Sequence, residues 1–154
     1  MKKYIGTQIV SSSPMTKLEY NNYRGWDMPH YEDGEEDGYL VENRGFGVSN
    51  HPNHQGYIHW LPKSVFLGLF KPSEGVSFGL ALEAIKKGKR VARSIFLNRN
   101  NMHIEMINNG VIVDNFELRR IKTEIQKDNN KIIVANSWHP SQEDILAEDW
   151  IILD

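Results

Sequence analysis

Residues Arg93-Ser94-Ile95-Phe96-Leu97-Asn98-Arg99-Asn100-Asn101 gather one aromatic ring, two guanidiniums and three amides in one short stretch. Guanidinium forks suit phosphate, and an aromatic face with nearby amides suits a nucleobase. Arg93 and Arg99 fit the first task, and Phe96, Asn98 and Asn101 the second. An ordinary polar loop with Phe96 turned into the core accounts for the same residues. A second constellation is Asn136-Ser137-Trp138-His139-Pro140-Ser141-Gln142-Glu143-Asp144. Trp138 beside a helix N-terminus makes a stacking platform next to free backbone N–H groups. Equally, Trp138 and Trp150 bracket a core while Ser141 only caps the helix.

Other clusters carry weaker chemistry. His51, His54 and His59 supply three imidazoles for zinc. Their spacing matches no metal motif, and Pro52 and Gly56 read as a solvated turn. The acidic run Glu32 to Asp37 lacks the ordered spacing of a calcium loop and reads as a solvated loop. No nucleophile elbow and no glycine-rich phosphate loop is present. Asp144 and Glu148 fall four apart, a spacing that capping and solvation explain. His139 or Asp144 acting as a base near Arg99 is the arrangement a hydrolase would need.

The elements that position these residues follow from pattern. Tyr4 to Val10 is expected as a strand, broken by Ser11-Ser12-Ser13-Pro14. Thr16 and Glu19 fit a capping box opening a helix to about Arg24, with Gly25 ending it. Asp27 to Gly38 reads as an exposed loop. Tyr39-Leu40-Val41-Glu42 and Gly56-Tyr57-Ile58-His59-Trp60 read as strands, and Pro62 opens a helix through about Phe70. Lys71-Pro72-Ser73-Glu74-Gly75 is the best candidate linker. It divides the chain into 1–72 and 73–154. Beyond it, Ser77 can cap a helix with Phe78, Ala81, Leu82 and Ile85 on one face, ended by Gly88. Strands are expected over Arg90 to Ser94, about Met102 to Met106, at Val111-Ile112-Val113 after the Asn109-Gly110 turn, and at Ile132-Ile133-Val134 after Asp128-Asn129-Asn130. Arg93 to Asn101 is expected as a strand-to-strand loop. Ser141 and Asp144 cap a short helix before the closing strand Trp150-Ile151-Ile152-Leu153. The fold class expected is α+β, with small antiparallel sheets each carrying one or two short packed helices.

Composition narrows the function. The chain has 154 residues, 40% hydrophobic and 25% charged, an ordinary globular balance. A chain of this length buries roughly 70% of its unfolded surface and needs no staples. It has no cysteine, so neither a disulfide framework nor a thiol nucleophile, in keeping with a reducing cytosol. Before Pro72 there are 7 basic and 8 acidic residues, and from Pro72 onward 11 and 12. Each part stands at −1, which argues against a partner such as duplex nucleic acid. No apolar run approaches the ~20 residues of a membrane span. The opening Met1-Lys2-Lys3-Tyr4-Ile5-Gly6-Thr7 is not expected to be a secretory signal.

Two segments in the second half carry a resemblance. Ser77-Phe78-Gly79-Leu80-Ala81-Leu82-Glu83-Ala84-Ile85-Lys86-Lys87-Gly88-Lys89-Arg90-Val91-Ala92-Arg93 and Ser141-Gln142-Glu143-Asp144-Ile145-Leu146-Ala147-Glu148-Asp149-Trp150 resemble the phage Thoeris anti-defence proteins of the second type. The resemblance implies a small α+β fold acting in the host cytoplasm as a homo-oligomer, dimer or tetramer, with no catalysis and no cofactor. It implies pockets between protomers that hold glyco-cyclic ADP-ribose, the signal made by the Thoeris TIR enzyme, and in some relatives cyclic oligonucleotides at separate sites. By position, the family's ring after the basic strand falls on Phe96, where relatives usually have Trp. Its polar neighbours fall on Asn98 and Arg99. The tryptophan before the closing motif falls on Trp138, and the motif's polar side chains on Ser141 and Asp144. A hydrolase of the same nucleotides is the rival reading. Tyr4-Ile5-Gly6-Thr7, Pro14-Met15-Thr16, Tyr20-Asn21-Asn22-Tyr23-Arg24-Gly25-Trp26 and Gly38-Tyr39-Leu40-Val41-Glu42 resemble a small module of phage accessory proteins, which leaves a protein-binding role for residues 1–72 as a third reading.

Overall fold

Capping chemistry fixes the first helix. Thr16 Oγ1 accepts from the Glu19 N–H at 3.2 Å, and Glu19 Oε2 accepts from the Thr16 N–H at 2.7 Å. This reciprocal box opens α1 (Lys17–Arg24), and Gly25 closes it at φ +68°, a conformation costly for residues with a Cβ. The computed structural model describes residues 1–45, 47–100, 102–108, 116–125 and 131–153. The chain divides into two compact units, Met1–Lys71 and Pro72–Asp154.

The first unit is an antiparallel sheet of β1 (Ser11–Pro14), β2 (Gly38–Asn43) and β3 (Tyr57–Pro62), in that order. The strand expected over Tyr4–Val10 falls instead on Ser11–Pro14, which pairs with Glu42–Tyr39. The serines suit a solvated edge, and Pro14 is tolerated at the end of an edge strand because it lacks only an N–H. In the central strand, alternation puts Leu40 on one face beside Ile58 and Trp60. Tyr20 from α1 and Met15 close that core. Tyr39 takes the opposite face and stacks on Phe66 of α2 (Lys63–Leu69), centroids 4.1 Å apart. Gly38 is required here, since a Cβ would lie 2.3 Å from the Trp60 ring.

The second unit runs β4 (Glu74–Val76), α3 (Phe78–Lys86), β5 (Arg90–Arg93), α4 (Ser94–Asn100), β6 (His103–Asn108), β7 (Phe116–Ile125), β8 (Lys131–Ser137), α5 (Gln142–Leu146) and β9 (Trp150–Leu153). Its sheet has the order β4-β9-β5-β6-β7-β8, and its paired strands run antiparallel. The protein is thus α+β with two antiparallel sheets and short helices. Alternation along β5, β6 and β9 sends Val91, Ile104 and Trp150 to one face. There they meet Ala81, Ala84 and Ile85 of α3, with Val76 and Trp138. The two alanines let the α3 backbone come close to that layer. Ser77 holds the N-cap position without a side-chain cap bond.

Two corrections concern the chemistry-bearing segments. The stretch expected as a loop after Arg93 is α4, because Ser94 to Asn100 holds no Gly or Pro to break a helix. A long strand, β7, also occupies Phe116–Ile125, where none was expected. The Asn109-Gly110 turn, the Val111–Val113 strand and the Asp128–Asn130 turn lie outside the described residues. Among the described residues, no helix is long and apolar enough to cross a membrane.

Candidate ligand-binding site

Arg93 ends β5 on the core-facing side of the sheet, opposite Trp150. Its Nε donates to Asp149 Oδ1 at 2.8 Å, and its Nη1 reaches Asp144 Oδ1 at 3.2 Å and Glu143 Oε1 at 3.3 Å. Burial works against the charge of Arg93, but the bonds to Asp149 and Asp144 outweigh it and leave its pKa raised. Three carboxylates therefore occupy this guanidinium. Ser94 Oγ donates to Asp149 Oδ2 at 2.8 Å, which ties the start of α4 to the turn before β9.

The closing motif folds by the same logic as α1. Ser141 Oγ accepts from the Asp144 N–H at 3.1 Å, and Asp144 Oδ2 accepts from the Ser141 N–H at 3.0 Å. Asp144 is buried, which pushes its carboxyl up. The bonds from Ser141 and Arg93 prevail and hold it below the usual carboxylate range. Asp149 is lowered in the same way, burial being outweighed by Arg93 and Ser94. Trp150 Nε1 donates to the Asp144 carbonyl at 3.0 Å, so cap, arginine and indole lock α5 to the sheet.

Trp138 is 3% exposed. Its ring meets Phe78 and Trp150 edge-on at 6.3 and 6.0 Å between centroids. In this conformation the chain offers no open face of Trp138 for stacking. Its Nε1 is buried without a hydrogen-bond partner among the described residues.

Phe96 has a different setting. It is partly exposed on α4, with the Arg93 guanidinium carbon 5.8 Å from its ring centroid and that of Arg120 at 6.0 Å. Arg120 lies on β7, opposite Ile104 and Asn136, and so shares the core-facing side. Its Nε is buried with no hydrogen-bond partner among the described residues. Arg120 went unnoticed in the sequence. The signal that marks it is a cation on the same sheet face as Ile104 and Leu118. Asn98 and Arg99 lie on α4, their side chains outside the described set, and Asn101 lies outside the described residues.

The histidine group resolves differently. The His51 and His54 rings are 5.5 Å apart, while His59 sits on β3 opposite Val41, with burial lowering its pKa. Among the described residues, no group of three or more His, Asp or Glu is arranged to hold a metal. Within the acidic run, Glu32 pairs with Lys17 and Asp37 with Lys63.

Residues 76–153 match the family model described as the Thoeris anti-defense 2-like domain. The chain is 35% identical over 92 residues to Thoeris anti-defense 2 of Bacillus phage SP01, an alignment covering 51% of this chain and 94% of that protein.

Proposed function

Because the chain belongs to the Thoeris anti-defense 2-like family, we propose that its second unit is a phage sponge that captures a small cyclic nucleotide signal and returns it unchanged. The observation that carries this reading is Arg120. A buried guanidinium nitrogen without an acceptor is costly in the free protein. A phosphate oxygen beside Phe96 would satisfy it, with a base or ribose against the ring. Asn98, Arg99 and Asn101 are the polar side chains proposed to complete the contact. Arg93, Ser141, Asp144 and Trp138 build the frame that holds α4 and α5. Glyco-cyclic ADP-ribose is the first ligand to test, and cyclic oligonucleotides the second.

Capture rather than turnover suits the local electrostatics. A general acid or base works best with a pKa near the working pH. Asp144 and Asp149 are both driven the other way, into fixed ion pairs. Exposed Ile133, Ile145 and Leu146 offer apolar surface for a second copy, and we propose a dimer or tetramer with ligand held between protomers.

A thermal-shift screen of cyclic ADP-ribose isomers and cyclic di- and trinucleotides tests the reading. A ligand at one hundred times its Kd stabilises by roughly 2.7 kcal/mol. Bound ligand is then released by denaturation and chromatographed. Full recovery of intact ligand supports the sponge. Conversion to a linear product establishes the hydrolase instead, and the absence of any shift removes the nucleotide reading.

A further inference from the structure

The first unit contains an ordered relay that nucleotide capture does not use. Glu42 lies on β2 and is 9% exposed. Its Oε1 accepts from the backbone N–H groups of Gln55 and Gly56 at 3.1 and 2.8 Å. Its Oε2 lies 3.0 Å from His54 Nδ1. On the far side of that ring, His54 Nε2 lies 2.9 Å from the Tyr23 hydroxyl. His51 stacks on Tyr23 with centroids 4.5 Å apart and planes 25° from parallel.

The direction of the hydrogen bonds follows from the carboxylate. His54 and the two backbone donors keep Glu42 ionised, and an ionised carboxylate only accepts. His54 therefore carries its proton on Nδ1. In the neutral ring the Nε2 lone pair then faces Tyr23, and the phenol donates to it. The result is an oriented base in hydrogen-bond contact with a hydroxyl, the order of parts that activates a nucleophile. A carboxylate that served only to pin the loop at 55–56 would have its purpose met by the two backbone N–H groups. The bonds continue outward through His54 to a side chain that reaches solvent.

We propose that Tyr23, His54 and Glu42 form a nucleophile, base and positioning residue for attack on an electrophilic phosphoryl ester. The Tyr23 oxygen forms a bond to phosphorus as the phenol proton passes to His54 Nε2. The bond from phosphorus to the leaving oxygen breaks, and His54 returns the proton to that oxygen. The phosphoryl class is favoured by Arg44, whose Nε lies 3.4 Å from Glu42 Oε1 while its side chain is 64% exposed. It sets a guanidinium fork at the rim of the relay. This inference is independent of the function proposed for the second unit.

The test uses the full-length protein and an alkyl fluorophosphonate, a phosphorus electrophile that leaves a stable adduct and releases fluoride. Peptide mass spectrometry then ranks the tyrosines by rate. Exposure alone favours Tyr4 at 89% and Tyr31 at 79% over Tyr23 at 36%. The relay reverses that order, with Tyr23 labelled fastest and no such adduct in Tyr23→Phe, which keeps the ring on His51. His54→Ala slows labelling of Tyr23 by roughly a hundredfold, and added imidazole restores part of the rate. Labelling of Tyr4 or Tyr31 ahead of Tyr23, or an unchanged Tyr23 rate in His54→Ala, overturns the proposal.

Discussion

Replacing Arg120 by methionine separates stability from binding, because the two should move in opposite directions. Arg120 Nε is buried without an acceptor among the described residues, beside Phe96 and on the core-facing side of β7. Leaving a buried donor unsatisfied costs about 1–3 kcal/mol. The whole residue is only partly buried, so the relief on removing it is nearer the lower figure. Methionine keeps the length and the apolar stem. We expect Arg120→Met to leave the free protein unchanged or more stable by up to about 1 kcal/mol. That is up to roughly 4–8 °C in Tm if the second unit melts on its own. Binding should fall, since a hydrogen bond from a charged donor is worth about 1.5–3 kcal/mol, or roughly ten- to 150-fold in Kd. Differential scanning fluorimetry gives the first number, and titration calorimetry with the ligand selected by the screen gives the second. A variant that melts well below wild type yet binds with the same Kd would show that Arg120 is an ordinary structural arginine and refute the reasoning.

Trp138→Ala should cost about 3–5 kcal/mol of stability, the usual loss for deleting a buried large aromatic, read by denaturant melts. Wild-type stability in this variant would contradict its place in the core. Phe96→Ala should weaken ligand binding by about 1–3 kcal/mol, the worth of one base–aromatic stack, and Phe96→Trp should tighten it by enlarging the ring; equal Kd values for all three would remove the ring from the site. Glu42 supplies a pH test: bonds from His54 and the Gly56 N–H lower its pKa from 4.5 to about 2 in the folded state. A depressed folded pKa contributes stability that is present above the unfolded value and lost as pH falls through the folded one. Wild-type stability relative to Glu42→Gln should therefore shrink between about pH 4.5 and 2, and a difference that stays constant over that window would contradict the assignment. If the proposed contact between copies lies at α5, Leu146→Glu should lower the mass seen by light scattering, and an unchanged mass would remove α5 from that proposal.

What the sequence disclosed tracks how local each cause is. Both capping boxes and the Gly25 stop were legible because their partners lie within a few residues, at fixed offsets. Periodicity placed Phe78, Ala81 and Ile85 correctly on the apolar face of α3, but named Leu82 where Ala84 is the residue that enters the core. The strand β7 was not, and its own residues say why. Phe116 and Leu118 alternate in one parity, Ile121 and Ile125 in the other, and Arg119-Arg120 stand at the change. A period-2 reading fails there because a cation occupies a position where the alternation calls for an apolar residue. The Arg93 carboxylates were likewise hidden, since Asp144 and Asp149 approach it from about fifty residues away. The relay from Glu42 through His54 to Tyr23 joins three separate segments, so no spacing rule announces it.

The two arginines beside Phe96 show how the fold divides its charge. Arg93 and Arg120 lie at similar distances from one ring. Glu143, Asp144 and Asp149 are all bonded to Arg93, and those bonds close the gap between β5, α5 and β9. Breaking such a buried pair by removing one partner costs about 3–5 kcal/mol, so Arg93 is fixed by the needs of folding. Arg120 has an unsatisfied nitrogen in the same neighbourhood, and satisfying it with a further carboxylate would stabilise the free protein while closing the site to anions. Natural sequences break a local rule of this kind chiefly at functional positions. A guanidinium nitrogen without an acceptor among the described residues, beside the same ring as the ion-paired Arg93, is therefore the place we propose for an acceptor that arrives from solution.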